Sequence, residues 1–231
     1  MLKYLRPVLI ILLVLVVDQS LKFWVKLHMQ MQSEISITNW FRLYFIENEG
    51  MAFGMKWGGD AGKLLLTLFR IIAVVFFSYW LIQLLNKKTH WGLITCVSLI
   101  IAGAMGNIID SIIYGVIFSE SYSGGSIAQL FPPDGGYGAL LHGKVVDMLY
   151  FPIIKGVLPQ WIPIWGGEYF VFFSPIFNVA DFSISTGVIA LLVFQKKFFK
   201  KNTGETDESK SETISDEGNK ETTDDVGSVS N

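Results

Sequence analysis

The chain has 231 residues, of which 51% are hydrophobic and 16% are charged. This balance excludes a large soluble domain and indicates a membrane protein. The net charge of −2 is unevenly spread, because residues 202–231 hold nine acidic residues against two lysines, a net charge of −7. This segment has almost no apolar residues from which to build a core, so we predict a disordered tail.

Four apolar segments are long enough to cross the membrane, since a span of ~30 Å of hydrocarbon takes about 17–25 helical residues. We predict transmembrane helices at about 7–27, 64–85, 91–114 and 175–194. Together they predict an all-α, four-span membrane domain over residues 1–201, followed by the tail at 202–231. We do not expect the first segment to be a cleaved signal peptide, because Asp18, Gln19 and Lys22 interrupt it and no small-residue cleavage site follows.

Basic residues fix the orientation of this four-span arrangement. They cluster at the amino-terminus, at Lys87 and Lys88, and after residue 195, all on one side of the membrane. By the positive-inside rule both termini are cytoplasmic, and the two long connections face outward.

The two outer connections differ in composition. The first contains short apolar or alternating segments at 35–37 and 42–46, which predict a small extracytoplasmic β element. The second is rich in glycine and proline over 123–143 and then turns aromatic, with Trp161 and Trp165 suited to the lipid–water interface.

Polar residues of the predicted spans converge on one level. At ~1.5 Å per residue, Asn107 and Asp110 lie roughly 24–28 Å along the third span. Asn178 and Asp181 open the inward-running fourth span at the same outer boundary. A charge inside a span costs roughly 2.5–3.5 kcal/mol on insertion scales, so such residues are usually functional. The convergence predicts an outward-facing polar site.

Each group also has a structural interpretation. Asp18 and Lys22 are four residues apart on one helix face and can neutralise each other. Asn107 and Asp110 follow the small residues of 103–106, where polar groups often serve as interhelical hydrogen bonds. The three histidines are scattered without His-Glu-x-x-His spacing, so we expect no metal site.

Five short motifs resemble, in order, those of the lipoprotein signal peptidases (signal peptidase II), aspartic peptidases of the bacterial cytoplasmic membrane. The motifs are Asp18-Gln19-Ser20-Leu21-Lys22, Asn48-Glu49-Gly50-Met51-Ala52-Phe53, Gly103-Ala104-Met105-Gly106-Asn107-Ile108-Ile109-Asp110, Val145-Val146-Asp147 and Phe177-Asn178-Val179-Ala180-Asp181. Each motif alone is weak, but five in order in a four-span chain are specific.

The resemblance implies removal of the signal peptide from prolipoproteins whose cysteine already bears a diacylglyceryl group, with cleavage just before that cysteine. It implies that Asp147 and Asp181 are the catalytic pair, whereas depth alone pairs Asp110 with Asp181. Two close carboxylates share one proton and titrate as a unit, so neither metal nor cofactor is needed. The residues expected to bind substrate or shape the site are Asp18, Lys22, Asn48, Gly50, Phe53, Gly103, Asn107, Asp110 and Asn178.

The expected partners are the lipidated prolipoprotein and membrane lipid, without nucleic acid, and the enzyme is expected to act as a monomer. One position departs from the family pattern, which usually has Arg after the aspartate of the third motif, where this chain has Ser111. Either Lys22 or Lys144 replaces the salt bridge of that Arg, or Asp110 has lost the role.

Two other functions remain open at this point. A non-enzymatic four-span transporter or scaffold would use the acids to bind an ion or to pair structurally, and it predicts acids near mid-membrane. Another intramembrane peptidase would accept helices that carry no lipid.

Overall fold

The computed structural model describes residues 2–48, 59–87, 89–172 and 174–199. Its helices are Leu2–His28 (α1), Gly59–Asn86 (α2), Trp91–Ile109 (α3), Gly115–Ile117 (α4), Val179–Val193 (α5) and Gln195–Phe198 (α6). Its strands are Glu34–Ser36 (β1), Arg42–Asn48 (β2), Val145–Tyr150 (β3), Ile154–Val157 (β4), Tyr169–Phe172 (β5) and Ile176–Phe177 (β6). The predicted tail at 202–231 lies outside the described residues.

Three of these helices are long and apolar enough to cross a membrane, so the chain is a multi-pass membrane protein. The candidate spans are Lys3–His28, Ala61–Asn86 and Trp91–Ile117. The helix in the fourth predicted span, α5, is apolar but has only 15 residues. At 1.5 Å per residue the helix is about 22 Å long. It is short because the chain before it forms β6 instead of another helical turn.

The third helix, α3, is the centre around which the others pack. Of its span, 67% is buried inside the protein, against 17% for α1 and 11% for α2. α1, α2 and α5 all contact α3. The opposite sides of α1 and α2 expose large apolar side chains such as Leu13 and Phe69, as expected for surfaces that face lipid.

The sheet corrects the prediction of an all-α protein. Four strands pair in the order β1-β2-β3-β6, so the β structure joins both outer connections instead of staying in the first. The first four residues of strand β3 are buried on both faces, and all of its residues except Asp147 are apolar or aromatic, so it lacks the alternation that marks a half-exposed strand. The fold is therefore mixed helix and sheet.

Strand register determines which polar residues meet. In the β2–β3 pair Ile46 lies opposite Asp147, and Asn48 lies opposite Val145. In the β3–β6 pair Leu149 lies opposite Phe177. The sheet thus brings the ends of β2 and β6 to Asp147, which lies in the middle of β3.

The carboxyl end of α3 is a π-helical turn, Asp110–Tyr114, of the kind that often occurs at functional sites. The chain then passes through α4 and an irregular segment, as its glycine and proline content predicts, before returning to this turn. The Gly143 N–H donates to the Ser111 carbonyl at 2.8 Å. A Cβ atom on Gly143 would collide with the Asp110 carbonyl oxygen, so only glycine allows this approach, which delivers β3 to the end of α3.

Gly103 provides a direct test of how closely α3 and α5 pack. In Gly103→Ala the new Cβ would meet the Ala180 carbonyl oxygen and, at 2.7 Å, Ile184 Cγ1. We expect this overpacking to cost roughly 1–3 kcal/mol. The measurement is the midpoint of thermal unfolding of the purified protein in detergent.

The matched control is Gly156→Ala on β4, where the Cβ atom would have one neighbour, Phe170 Cε1 at 3.4 Å. Its unfolding midpoint should stay within error of the parent protein. An unchanged midpoint for Gly103→Ala would contradict the close contact of α3 with α5.

Candidate active site

A buried lysine lies at the centre of the polar cluster. The Lys22 Nζ atom lies 2.8 Å from Asp18 Oδ2 and 2.8 Å from Asp110 Oδ2, and all three side chains are 0% exposed. It also donates to Asn107 Oδ1 at 3.0 Å. An ammonium group has three donors, so the hydrogen-bonding capacity of Lys22 is filled by these three acceptors.

The two carboxylates that bind Lys22 also hold the neighbouring elements. Asp18 Oδ1 accepts the backbone N–H of Ala180 at 2.9 Å, in the first turn of α5. Asp110 Oδ2 accepts the backbone N–H of Val146 in β3 at 3.3 Å. Two buried aspartates therefore fix both the helix and the strand that carry the remaining acids.

Gln19 completes this part of the cluster. Its Nε2 donates to Asp110 Oδ1 at 2.8 Å, and its Oε1 accepts the Tyr114 hydroxyl at 3.1 Å. From the sequence, Gln19 interrupts the first apolar segment and belongs to the first motif, but it was not predicted as a site residue, and Tyr114 was missed altogether. Gln19 was detectable as a polar residue inside an apolar span, whereas Tyr114 gave no such signal.

Asn107 and Asn178 orient the other two aspartates. Asn107 Nδ2 donates to Asp181 Oδ1 at 2.7 Å, and Asn178 Nδ2 donates to Asp147 Oδ1 at 2.8 Å. The two amides also meet, with Asn178 Nδ2 lying 3.1 Å from Asn107 Oδ1. A chain of amides thus runs from Asp147 to Asp181.

Asn178 has a second role as the N-cap of α5. Its Oδ1 accepts the backbone N–H of Asp181 at 2.8 Å, which satisfies one of the free donors at the start of that helix. On the other side of the site, Asn48 Nδ2 donates to Asp147 Oδ2 at 3.2 Å. Both oxygens of Asp147 therefore accept an amide hydrogen.

Asp147 and Asp181 have different surroundings. Asp147 is 2% exposed, and burial, followed by the negative charge of Asp181, raises the pKa of Asp147 to about 7. The hydrogen bonds from Asn48 and Asn178 oppose that rise. Asp181 is half-buried in the first turn of α5, where the positive end of the helix dipole favours a negative charge.

The contacts of Asp110 differ from those that depth alone predicts. Its oxygens bind Lys22, Gln19 and the Val146 N–H, whereas Asp147 and Asp181 are joined to each other through amides. The structure also resolves the departure at Ser111, whose hydroxyl donates to the Asn107 carbonyl at 2.9 Å. The salt bridge to Asp110 comes from Lys22.

Other residues predicted for the site lie apart from it or outside the described part. Lys144, the second candidate partner for Asp110, pairs with Glu120 at 3.0 Å. Gly103 lies at the contact of α3 with α5 and touches none of the carboxylates in the contacts described. Gly50 and Phe53 lie outside the described residues.

Arg70 was also missed by sequence reasoning, although its signal was present. It is the single charged residue between Leu64 and Leu85, and an ionisable residue within an apolar span is a candidate for function. In the structure it interacts electrostatically with Asp181, Asp110 and Asp147.

The fold and the site define a multi-pass membrane protein in which paired helices and a small sheet enclose a cluster of buried carboxylates. A sequence model of the Signal peptidase (SPase) II family, named Peptidase_A8, matches residues 10–197. The chain belongs to the signal peptidase II family, which confirms the resemblance drawn from the five motifs, and it is accordingly a protease.

Relatives with assigned names agree with this membership. The chain is similar to the lipoprotein signal peptidase of Porphyromonas gingivalis, with 56% identity over 185 residues, 80% of each chain. The lipoprotein signal peptidase of Amoebophilus asiaticus is 40% identical over 193 residues, covering 81% of this chain and 76% of that protein.

A solved structure shares the fold. A bacterial membrane enzyme determined by the in meso method superposes with a TM-score of 0.54. Its sequence is 22% identical, and the match covers 85% of this chain and 92% of that chain.

Replacing Lys22 tests whether its charge holds the cluster together. Lys22→Met leaves Asp18 and Asp110 buried without a counter-ion, which should cost about 3–5 kcal/mol. We expect a large drop in the thermal unfolding midpoint and in the yield of folded protein. Lys144→Met, which breaks the partly exposed pair with Glu120, should cost about 0–1 kcal/mol.

A compensated variant separates lost charge balance from lost packing. Lys22→Met combined with Asp18→Asn and Asp110→Asn removes the unpaired charges. This triple variant should have a higher thermal unfolding midpoint than Lys22→Met alone. Equal midpoints for Lys22→Met and Lys144→Met would contradict the role given to the buried lysine.

Proposed function

We propose that this protein is a lipoprotein signal peptidase of the aspartic type. It removes the signal peptide from diacylglyceryl-modified prolipoproteins by cutting before the lipidated cysteine. Family membership supports signal-peptide removal, and the alternative of a non-enzymatic transporter or scaffold is not favoured. The observation that carries the aspartic mechanism is the amide-linked pair of Asp147 and Asp181.

The different surroundings of the pair suggest different roles. Asp147, deeply buried and with its pKa raised to about 7, holds the proton at rest. Asp181, at the positive end of α5, carries the charge. Two close carboxylates in one site cannot both ionise easily, so a single shared proton is the stable state at neutral pH.

Peptide hydrolysis then proceeds by acid–base catalysis. Asp181 takes a proton from water as the water oxygen bonds to the scissile carbonyl carbon, while Asp147 donates its proton to the carbonyl oxygen. Collapse of the tetrahedral intermediate breaks the C–N bond. The amine leaves with the proton held by Asp181, and Asp147 recovers its own from the intermediate. No covalent intermediate is formed.

Lys22 supports this chemistry through Asn107, without contacting Asp147 or Asp181 in the hydrogen bonds described. Because its ammonium binds Asn107 Oδ1, the amide of Asn107 must turn its Nδ2 towards Asp181. The lysine thereby sets the orientation of the group that holds the proposed base. We assign positioning roles to Lys22, Asp18, Asp110, Asn107, Asn178 and Asn48.

We further propose that α5 is the fourth span and that residues 1–201 form one catalytic domain, followed by a disordered cytoplasmic tail. The distribution of basic residues supports cytoplasmic termini and a site at the outer face of the bacterial cytoplasmic membrane. We also propose that the protein acts as a monomer. The exposed apolar sides of α1 and α2 suit membrane lipid and the acyl chains of the substrate.

Incubation with matched substrates tests the function. The purified protein should cleave a prolipoprotein that carries its diacylglyceryl group, and mass spectrometry should place the cut before the lipidated cysteine. The same substrate without the lipid should stay intact. Equal cleavage of both forms would indicate a peptidase of wider specificity, and no cleavage of either by folded protein would overturn the proposal.

Substitutions of the pair test the assignment of the acids. Asp147→Asn and Asp181→Asn should each lower turnover by about 10²–10⁴-fold, because asparagine preserves size but cannot exchange the proton. The double variant should be hardly slower than either single variant, since the two residues act as a unit. The measurement is single-turnover cleavage of the lipidated prolipoprotein.

The control is Asp110→Asn, which we expect to lower stability and to keep measurable turnover in the folded fraction. If Asp147→Asn stays active while folded Asp110→Asn is inactive, the catalytic pair is Asp110 with Asp181 instead.

A further inference from the structure

The hairpin formed by β4 and β5 leaves the main sheet beside the active site. Its strands pair from Ile154 opposite Phe172 to Val157 opposite Tyr169. The Leu158 N–H donates to the Glu168 carbonyl and the Gly167 N–H donates to the Leu158 carbonyl, both at 2.9 Å, which continues the pairing beyond the strands. The hairpin therefore presents its tip as an ordered unit.

The tip carries large apolar side chains that the rest of the described protein leaves uncovered. Trp161 is 80% exposed, Ile164 is 87% exposed and Trp165 is 58% exposed. No charged residue occurs between Lys155 and Glu168. An ordered, uncharged patch of this kind marks an interaction surface.

We infer that this tip inserts into the interfacial layer of the outer leaflet of the cytoplasmic membrane. Three residues separate the hairpin from β3, and three separate it from β6, which leads directly into the apolar helix α5. The base of the hairpin therefore lies close to the start of α5, where the chain enters the membrane again. Tryptophan favours this layer, where its apolar ring and polar N–H are both satisfied.

The charge of the hairpin favours lipid over a charged protein partner. Lys155 and Glu168 balance each other, so the patch attracts neither sign of charge and gains its free energy from apolar burial. The consequence concerns the site, because the hairpin joins β3, which carries Asp147, to β6, which precedes Asn178. Its contact with lipid fixes the depth of both residues.

A fluorescent probe measures that depth without reference to activity. In a Cys96→Ala background, Ile164→Cys is labelled with an environment-sensitive nitrobenzoxadiazole dye and placed in phosphatidylcholine nanodiscs at one protein per disc. The emission should shift to the blue and be quenched by nitroxide-labelled lipid. The matched control is Asp134→Cys, an exposed polar position of the same outer connection, which should show neither effect.

Three results would overturn the inference. Emission from Ile164→Cys that equals that of Asp134→Cys would place the tip in water. A shift that appears only with two proteins per disc would assign the tip to a second copy, and a shift that requires lipidated substrate would assign it to the substrate.

A separate observation concerns Arg70 on α2. The face of α2 that turns inward includes Thr67, which is 1% exposed, and continues through Leu81 and Leu84 to the apolar contact with α3. Arg70 has the helical spacing of this face, three residues after Thr67 and eleven before Leu81. It is half-buried there.

Arg70 also lies at the level of the amide that holds Asp181. It is sixteen residues before the end of α2 at Asn86, and Asn107 is sixteen residues after the start of α3 at Trp91. Since consecutive antiparallel helices rise equally from their connection, the two residues are at the same height. Its electrostatic interactions with Asp181, Asp110 and Asp147 agree with this placement.

Resting on the proposed function, we infer that Arg70 is a positioning residue that stabilises the negative charge of the Asp147–Asp181 pair. Among the described residues, Lys22 from α1 acts electrostatically on Asp147, and Arg70 from α2 acts on Asp147, Asp181 and Asp110. Lys63, one turn before Thr67 on α2, is also buried. The Lys22 ammonium is already held by Asp18 and Asp110. Arg70 supplies a further positive charge for a pair that keeps one negative charge.

The pH dependence of kcat/KM tests this role. Arg70→Gln and Arg70→Met remove a cation that favours ionised carboxylates, so both limbs of the profile should move to higher pH by roughly one unit. Arg70→Lys should retain the parent profile. Lys87→Gln removes one positive charge at the exposed far end of α2 and should also leave the pH profile of kcat/KM unchanged.

The outcomes separate this inference from the proposed function. Absence of cleavage by the parent enzyme would sink the function itself. Active Arg70→Gln and Arg70→Met variants whose profiles keep the parent position would show that Arg70 serves packing or substrate binding alone. Two neutral variants are used because methionine preserves the apolar stem if glutamine disturbs folding.

Discussion

The Lys22 ammonium and its two buried carboxylates are the interaction on which the rest of the site depends. Removing three charges from water costs several kcal/mol per ion, and only close, fully hydrogen-bonded contacts repay that cost. Here all three groups are fully buried, and the ammonium also binds the Asn107 amide. Because Asp18 holds the start of α5 and Asp110 holds β3, the ion cluster determines where Asp181 and Asp147 lie.

The two remaining aspartates have different surroundings, which support the different roles proposed for them. Asp147 lies in a strand that is buried on both faces, so desolvation favours its neutral form. Asp181 lies in the first turn of a capped helix, where backbone dipoles favour the anion. Asn107 and Asn178 hold the carboxylates in fixed orientations, which limits reorganisation during proton transfer.

Much of this arrangement could be predicted from the sequence. The spacing of Asp18 and Lys22 predicts their ion pair, and the lengths of the apolar segments predict three of the helices. The pairing of β2 with β3 could not be predicted, because nearly a hundred residues and two spans separate Asn48 from Val145. Depth along the helices paired Asp110 with Asp181, since counting residues cannot show that a strand from a later connection places Asp147 beside them.

Two further differences between the sequence predictions and the structure have local causes. Residues 175–178 extend the apolar pattern of the fourth span, but β6 and the Asn178 cap shorten the helix to Val179–Val193. Arg70 was detectable as a lone charge in an apolar span, although its height relative to Asn107 becomes clear only when α2 and α3 are placed side by side.

We propose that Asp147 and Asp181 share one proton, which Asp147 holds at rest. The most direct measurement is the pH dependence of kcat/KM for the lipidated prolipoprotein, because this quantity reports the free enzyme. Asp147, with its pKa raised to about 7, is protonated below that pH and ionised above it, so kcat/KM should fall as the pH rises through about 7. A value that stays constant from about pH 6 to about pH 9 would contradict the claim, because the acid would then not be Asp147.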